Sequence, residues 1–308
     1  MDALDFTETP IESFTHETTY CASEEQHTAN VQAAVALGLP SLDRGALQSG
    51  PLAVVCSGPS LAQTRRDLRH FDYILTCSGA HDYLLRYGIV PTWHMEGDPR
   101  PHKALFVKHP HKRVQYLLAS ACHPKVFAAL KGYDVKIWHV LRHGSDLVSL
   151  GKYPKGHWVL TGGTNVGQRA MVMGRILGFT DIHVFGMDCS AGESFHTGDH
   201  PNNPPQQDWI PVRVGEMTYY STPLFVSYAK QFFHEVLQLP DVHVTLHGDG
   251  LLQALAKQKL TDPIQAEAWL AARENVVDTT IAVMEFPTPM ADVVDCLEKS
   301  LDNLAPEA

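Results

Sequence analysis

The 308-residue sequence predicts an α/β fold, with a mostly parallel sheet flanked by helices and a helical extension at the C-terminus. Three observations carry this. From Pro51 onward, short apolar, β-branched runs alternate with segments of helical spacing, the pattern of a layered parallel sheet. The first such run, Ala53-Val-Val-Cys-Ser-Gly-Pro-Ser-Leu61, passes through a tight turn into a helix-competent segment. No apolar run approaches the roughly 20 residues that a membrane-spanning helix needs.

Taken in order, residues 1–20 are rich in Thr, Glu and Pro and carry no periodicity. Residues 22–38 read as a helix that Gly38 closes, and the polar stretch from Pro40 to Gly50 is a boundary. Strands are expected at 52–56, 72–77, 90–95, 114–119, 135–140, 181–187 and 242–247. Helices are expected at 60–69, 79–87, 123–131, 165–177 and 223–238. In the 165–177 helix, Gly167, Ala170 and Gly174 form a small-residue stripe suited to close packing. Residues 190–222 hold five prolines, if Pro223 at the border is counted, and read as one long loop, a lid or functional insertion. The tail reads as helices at 250–258, 263–285 and 290–303. The expected domains are an acidic N-terminal extension (1–49), a central α/β domain (50–248) and an acidic helical extension (249–308). Right-handed crossovers place the loops that follow the strands along one edge, where ligands bind.

Composition is that of a globular protein, with 44% hydrophobic and 19% charged residues. The net charge of −10 is unevenly spread: −7 over 1–48, +4 over 49–248 and −7 over 249–308. A mildly basic, histidine-rich centre suits a small anionic ligand and is too weakly charged for a duplex-DNA binder. The acidic ends suit folding over the core, homo-oligomer formation or solubility, and the sequence leaves these open. The six cysteines show no C-x-x-C spacing, and the N-terminus lacks the basic and apolar regions of a signal peptide. A cytoplasmic protein with free thiols and no membrane span is expected.

Five constellations carry candidate chemistry. In Ser57-Gly58-Pro59-Ser60, the glycine permits a sharp turn, Pro59 presets the first helical turn, and Ser60 caps the helix or meets a phosphate oxygen. Such an elbow offers bare N–H groups to an anion. Thr161-Gly-Gly163-Thr164-Asn165-Val-Gly167 is a second elbow, with Thr164 and Asn165 at a helix start as ligand contacts or plain caps. Asp188 ends the run Asp181–Asp188 and is suited to a ribose hydroxyl, a metal or the orienting of a base. Glu96-Gly-Asp98-Pro-Arg100 offers acids for Mg²⁺ and a guanidinium for phosphate, or a Pro-flanked surface turn. His196 and His200, in the long loop, are candidates for the general acid or base. Gly198 and Pro201 spoil the helical H-x-x-x-H geometry of a zinc pair, so no metal site is expected there. The basic run Lys103–Arg113 reads as a solvated helix face.

Five pieces in this order resemble one family: the domain shared by archaeal 6-hydroxymethylpterin diphosphokinase-like proteins and bacterial motility accessory factors. That family is related in fold to small Rossmann-like bacterial sialyltransferases. The pieces are Ser57–Leu61 with Cys77-Ser78, Pro91 through Asp98-Pro99, Gly163-x-Asn165-Val-Gly167, Gly178-Phe179 to Gly186-x-Asp188, and Ser194-Phe-His196. The resemblance covers roughly residues 50–240. It implies a transferase with a nucleotide-bearing donor, held by Gly58, Pro59, Ser60 and Ser78 with help from Asn165. It also implies a base at His196, or at His200 in another register. The chain departs from the pattern at Cys56, where the family has the elbow's first glycine, at Ser78, where asparagine is common, and at the inserted Thr164.

Asp98 is followed by proline, as in the motility-accessory group, which favours glycosyl transfer from a nucleotide sugar, such as a CMP-nonulosonate, to an acceptor hydroxyl. The alternatives are an ATP-dependent 6-hydroxymethylpterin-type diphosphokinase, with Mg²⁺ on Asp98 and Asp188, and a non-catalytic nucleotide-binding module.

Overall fold

The computed structural model describes residues 3–17, 21–43, 45–140, 154, 157–160, 163–198, 200–237, 239–261 and 281–282. In chain order its elements begin β1 (Leu4–Asp5), α1 (Glu24–Ala36), β2 (Leu52–Val55), α2 (Leu61–Thr64), β3 (Tyr73–Cys77), α3 (Ala80–Arg86) and β4 (Trp93–Glu96). Next come β5 (Gln115–Ala119), α4 (Pro124–Ala129), β6 (Asp134–Val140), β7 (Val159–Leu160), α5 (Val166–Ile176) and β8 (Asp181–Phe185). Last are β9 (Ile210–Val214), β10 (Met217–Ser221), α6 (Pro223–Leu237), β11 (His243–His247), α7 (Leu251–Thr261) and β12 (Ile281–Ala282). A 3-10 segment, Arg65–His70, continues α2, and another, Pro101–Val107, follows β4.

Nine strands form one sheet in the order β11-β8-β2-β3-β4-β5-β6-β7-β12, parallel throughout except at β7–β12. From β2 the chain winds one way through β3 to β7, and β8 then returns to the other side of β2. That reversal opens a crevice at the carboxyl ends of β2 and β8, the place where open α/β sheets hold ligands. Both faces of the sheet are covered, so its central strands are continuously apolar, and all four residues of β2 are buried. Leu52, Val54, Leu75 and Met95 join one core with α5 and α6, while Ala53, Val55 and Ile74 join another with Leu61 and Leu84.

The helix boundaries have local causes. Ser23 caps α1 by accepting the Gln26 N–H at 3.2 Å, and Gly38 ends the segment at φ +61°. The small stripe on α5 brings it down onto the sheet: a methyl group on Gly174 would lie 2.8 Å from Leu52 Cδ2 and 2.9 Å from Ile182 Cδ1. β1, α1 and α7, which flank the central segment in sequence, pack on it. β1 pairs with β9, Asn30 of α1 donates to the Ala121 carbonyl at 2.8 Å, and Leu251, Leu252 and Leu255 of α7 lie in the core.

Three expectations change. The 190–222 stretch is not one structureless loop, because β9 and β10 form a hairpin in a second sheet of order β1-β9-β10. Its signal was the buried alternation Ile210, Val212, Val214, obscured by the surrounding prolines. Ile281–Ala282 is not helical but pairs antiparallel with β7, as suits the β-branched run Thr279-Thr280-Ile281. The rest of the expected 263–285 helix, beyond Thr261 and outside these two residues, and all of the 290–303 helix lie outside the described residues. The Lys103–Arg113 run is not a solvated helix face: Lys103, Phe106 and Val107 are buried in the 3-10 segment. Among the described residues, no helix is long and apolar enough to cross a membrane.

Candidate functional site

The elbow after β2 lies in the crevice, but its amides are largely spoken for. Cys56 N–H donates to the Phe185 carbonyl at 2.8 Å and Gly58 N–H to the Gly186 carbonyl at 2.7 Å. Ser60 N–H donates to Asp188 Oδ2 at 2.9 Å, and Ser60 Oγ donates to Asp188 Oδ1 at 2.5 Å. Pro59 has no N–H, which leaves Ser57 as the elbow residue whose N–H meets no acceptor among the described residues. The expected row of bare amides is therefore reduced to one, and α2, at four residues, is too short to act as an anion-binding dipole. Ser60 does not cap α2, since its hydroxyl is committed to Asp188.

Asp188 is 2% exposed and faces the elbow. Burial lifts its pKa to about 6; the Ser60 hydrogen bonds oppose that shift, and the Asp249 charge adds to it. Glycines enclose it. A methyl group on Gly58 would sit 2.4 Å from Asp188 Oδ2, and one on Gly250 would sit 2.5 Å from Asp188 Cβ. Asp188 thus staples the loop after β8 to the elbow after β2.

Next along the edge, Ser78 follows β3 with φ +47°, a left-handed conformation uncommon for a residue other than glycine. Its hydroxyl donates to Glu96 Oε2 at 2.9 Å. Glu96, 1% exposed, also accepts the N–H groups of Gly97 at 2.9 Å and Asp98 at 3.1 Å. Asp98 is gripped by Arg100, with Nη2 2.6 Å from Oδ2, and by Lys103 Nζ at 3.2 Å. Burial works to raise its pKa, yet the Arg100 hydrogen bonds and the Lys103 charge outweigh it and hold the group at about 2. Lys103 is the residue that sequence reasoning missed: hidden in a basic run, it is only 5% exposed, with Nζ 3.4 Å from Ser78 Oγ.

The loop after Asp188 brings both histidines to this edge. Thr197 N–H donates to the Ser57 carbonyl at 2.7 Å, which ties the loop to the elbow. The His196 and His200 rings stack with centroids 3.8 Å apart, and His200 stacks on Phe106 at 4.6 Å. His196 Nδ1 meets the Asn203 amide oxygen at 2.9 Å, so Nδ1 carries the proton and Nε2 keeps its lone pair. His200 is the reverse. Its Nδ1 accepts the Asn202 N–H at 3.3 Å, so the proton sits on Nε2, which is buried and has no partner among the described residues. Burial lowers both histidines, His196 to about 4 and His200 to about 2. Of the two candidate bases, only His196 retains a basic nitrogen. Asn203 gave no sequence signal, since nothing in Pro201-Asn-Asn-Pro204 marks it.

At the second elbow, Asn165 Oδ1 accepts the Gln168 N–H at 3.0 Å and so caps α5. Thr164 N–H donates to Gln168 Oε1 at 3.1 Å, and its hydroxyl bonds Gln231. Gly163, at φ +61°, turns the chain and absorbs the inserted Thr164; Thr161 and Gly162 lie outside the described residues. A methyl group on Gly167 would fall 2.6 Å from Cys56 Sγ, so the α5 start rests directly on the elbow.

Of two cavities, of about 270 and 340 Å³, one lies beside Thr7–Glu12 and the other between α6, β11 and α7, reaching Gly248 at the end of β11. Neither gathers the polar groups found at the strand ends, so the site is assigned to the crevice. Among the described residues, no three His, Cys, Asp or Glu side chains are grouped to hold a metal ion.

Comparison with known proteins agrees with this architecture. No curated protein matches the sequence. A MAf glycosyltransferase from Magnetospirillum magneticum AMB-1 superposes with a TM-score of 0.52 at 15% identity, over 80% of this chain and 42% of that one. The chain thus spans about two-fifths of that protein's length, and the likeness is one of fold. A mammalian sialyltransferase in complex with Gal-beta-1-3GalNAc-ortho-nitrophenol is similar at a TM-score of 0.35 and 10% identity, over 79% of this chain and 90% of that one. That likeness is too slight to carry an argument. The model of the family described as 6-hydroxymethylpterin diphosphokinase MptE-like matches residues 25–194, more than half of the chain. With its parallel sheet, its crevice beside β2 and this match, the chain belongs to the 6-hydroxymethylpterin diphosphokinase MptE-like family.

Proposed function

We propose that the protein is a glycosyltransferase that binds a nucleotide-activated sugar in the β2–β8 crevice and transfers the sugar to an acceptor hydroxyl. The observation that carries this reading is His196, a neutral imidazole whose Nδ1–H is fixed by Asn203 and whose Nε2 lone pair is unspent. In this reading Nε2 takes the acceptor's hydroxyl proton as the acceptor oxygen attacks the anomeric carbon. The bond from that carbon to the donor's phosphate oxygen breaks, and the nucleotide leaves with its electron pair. Asp188 serves as a positioning residue that holds the elbow, and Ser57, Gly58, Pro59, Ser60, Ser78 and Asn165 shape the donor cleft.

The family match is compatible with a second reading, diphosphoryl transfer from ATP. That chemistry needs acids free to hold Mg²⁺. Here Asp98 is engaged by Arg100 and Lys103, and Asp188 by Ser60, which favours the first reading.

A thermal-shift panel of CMP, UDP, GDP, AMP and ATP, each with and without Mg²⁺, separates the two. Stabilisation by a nucleoside mono- or diphosphate without metal is expected. A response to ATP and Mg²⁺ alone would favour the diphosphokinase. No response to any nucleotide would overturn both. With the donor in hand, His196→Ala is expected to keep nucleotide binding and lose roughly a hundredfold or more in turnover. Unchanged turnover would remove His196 from the mechanism.

A further inference from the structure

We propose that Lys103 and the Nε2–H of His200 form an anion subsite beside Ser78 that receives the phosphate ester of the donor. The inference rests on the donor reading above and adds the groups that hold the phosphate.

A buried lysine is strongly disfavoured unless its charge is answered. Lys103 is answered only in part. Asp98 Oδ2 lies at 3.2 Å and Ser78 Oγ at 3.4 Å, but Arg100 claims the same carboxylate in a two-pronged grip. Two cations therefore share the Asp98 carboxylate. The other acid close by, Glu96, is filled by Ser78 and two backbone N–H groups.

The second, independent observation is the orphaned nitrogen of His200. The residue is 7% exposed, and Nε2 has no partner among the described residues. A buried donor left without an acceptor is a net loss that a ligand acceptor would recover. A methyl group on Gly79 would lie 2.7 Å from His200 Nε2, so the nitrogen lies against the turn after β3, one residue from Ser78.

The cation and the base are also coupled mechanically. Lys103 Nζ sits 4.8 Å from the centre of the Phe106 ring, Phe106 stacks on His200, and His200 stacks on His196. One column therefore links the phosphate's counter-charge to the base. Among chemical classes, a phosphate ester fits an ammonium and an imidazole N–H, both donors, beside a hydroxyl whose proton is given to Glu96.

The test compares a nucleotide with its own nucleoside, by calorimetry on the full chain. The nucleotide is the tightest binder of the panel, and inorganic phosphate is a further probe. Lys103→Met is expected to weaken the nucleotide and inorganic phosphate roughly tenfold or more while leaving the nucleoside within about twofold. Lys103→Arg should restore most of the loss. His200→Phe keeps the ring stack and removes the N–H; it should weaken the nucleotide several-fold, and it decides the matter if Lys103→Met does not fold. Equal loss for nucleotide and nucleoside, or no loss in either variant, overturns the subsite while the donor reading stands. Lys103-dependent binding of inorganic phosphate without nucleotide binding supports the subsite and sinks the donor reading. A wild-type protein that binds neither overturns both.

Discussion

Replacing Asp188 with asparagine should stabilise this protein at neutral pH, although Asp188 makes two short hydrogen bonds. Burial places the folded pKa at about 6 against an ordinary 3.8. That gap corresponds to ~3 kcal/mol. Below about pH 4 the carboxyl is protonated in both folded and unfolded chains and contributes nothing. Between about pH 4 and 6 the folded chain holds a proton that the unfolded chain has released, so stability falls as pH rises. Above about pH 6 the full penalty of a buried, ionised carboxylate is in place. Asparagine carries no charge and keeps both contacts, since Oδ1 can accept the Ser60 N–H and Nδ2 can donate to Ser60 Oγ. Asp188→Asn is therefore expected to stabilise by ~1 kcal/mol at about pH 4.5 and by up to ~3 kcal/mol at about pH 7.5. Urea unfolding of both proteins at the two pH values measures this. A difference that is independent of pH, or that turns destabilising as pH rises, would refute the assignment of Asp188 as a desolvated staple.

Ser78→Ala leaves the left-handed backbone in place and strips buried Glu96 of a donor, so unfolding free energy should drop by about 1–3 kcal/mol in a denaturant titration. Gly167→Ala drives a methyl group to 2.6 Å from Cys56 Sγ and 2.7 Å from Met187 Cε, an overpacking of about 1–3 kcal/mol. Because Cys56 occupies the space a glycine would leave open, Cys56→Ala in the same chain should recover part of that loss. Strictly additive unfolding midpoints would show that the two residues do not contact.

Most of the sheet was legible because buried parallel strands are short apolar runs and their crossover helices carry a different period. The expected runs at 52–56, 72–77 and 114–119 differ from β2, β3 and β5 by a residue at most at either end. The β9–β10 hairpin was not legible, because its alternation is short and lies among prolines. The site was readable as a set of loops but not as a set of roles. Glycine elbows and strand-end acids are visible in one dimension; whether an amide is free depends on a partner far away in sequence. Gly58 and Ser60 are satisfied by Gly186 and Asp188, so the elbow presents far fewer bare amides than its motif suggests.

The histidine pair shows the same division. Its place after Gly-x-Asp188 marked His196 and His200 together, but only the folded loop distinguishes them. Asn203 frees the Nε2 of one, and Asn202 occupies the Nδ1 of the other. Lys103 lies further still from what a sequence can declare, since a lysine in a basic run is ordinarily solvated and only packing buries this one against Ser78 and Asp98. The alternating layers, the strand-end loops and the family can be read from the chain alone, because periodicity and turn chemistry are local. Which groups remain available to a ligand emerges on folding, because hydrogen-bond saturation and burial are properties of residues brought together from distant parts of the chain.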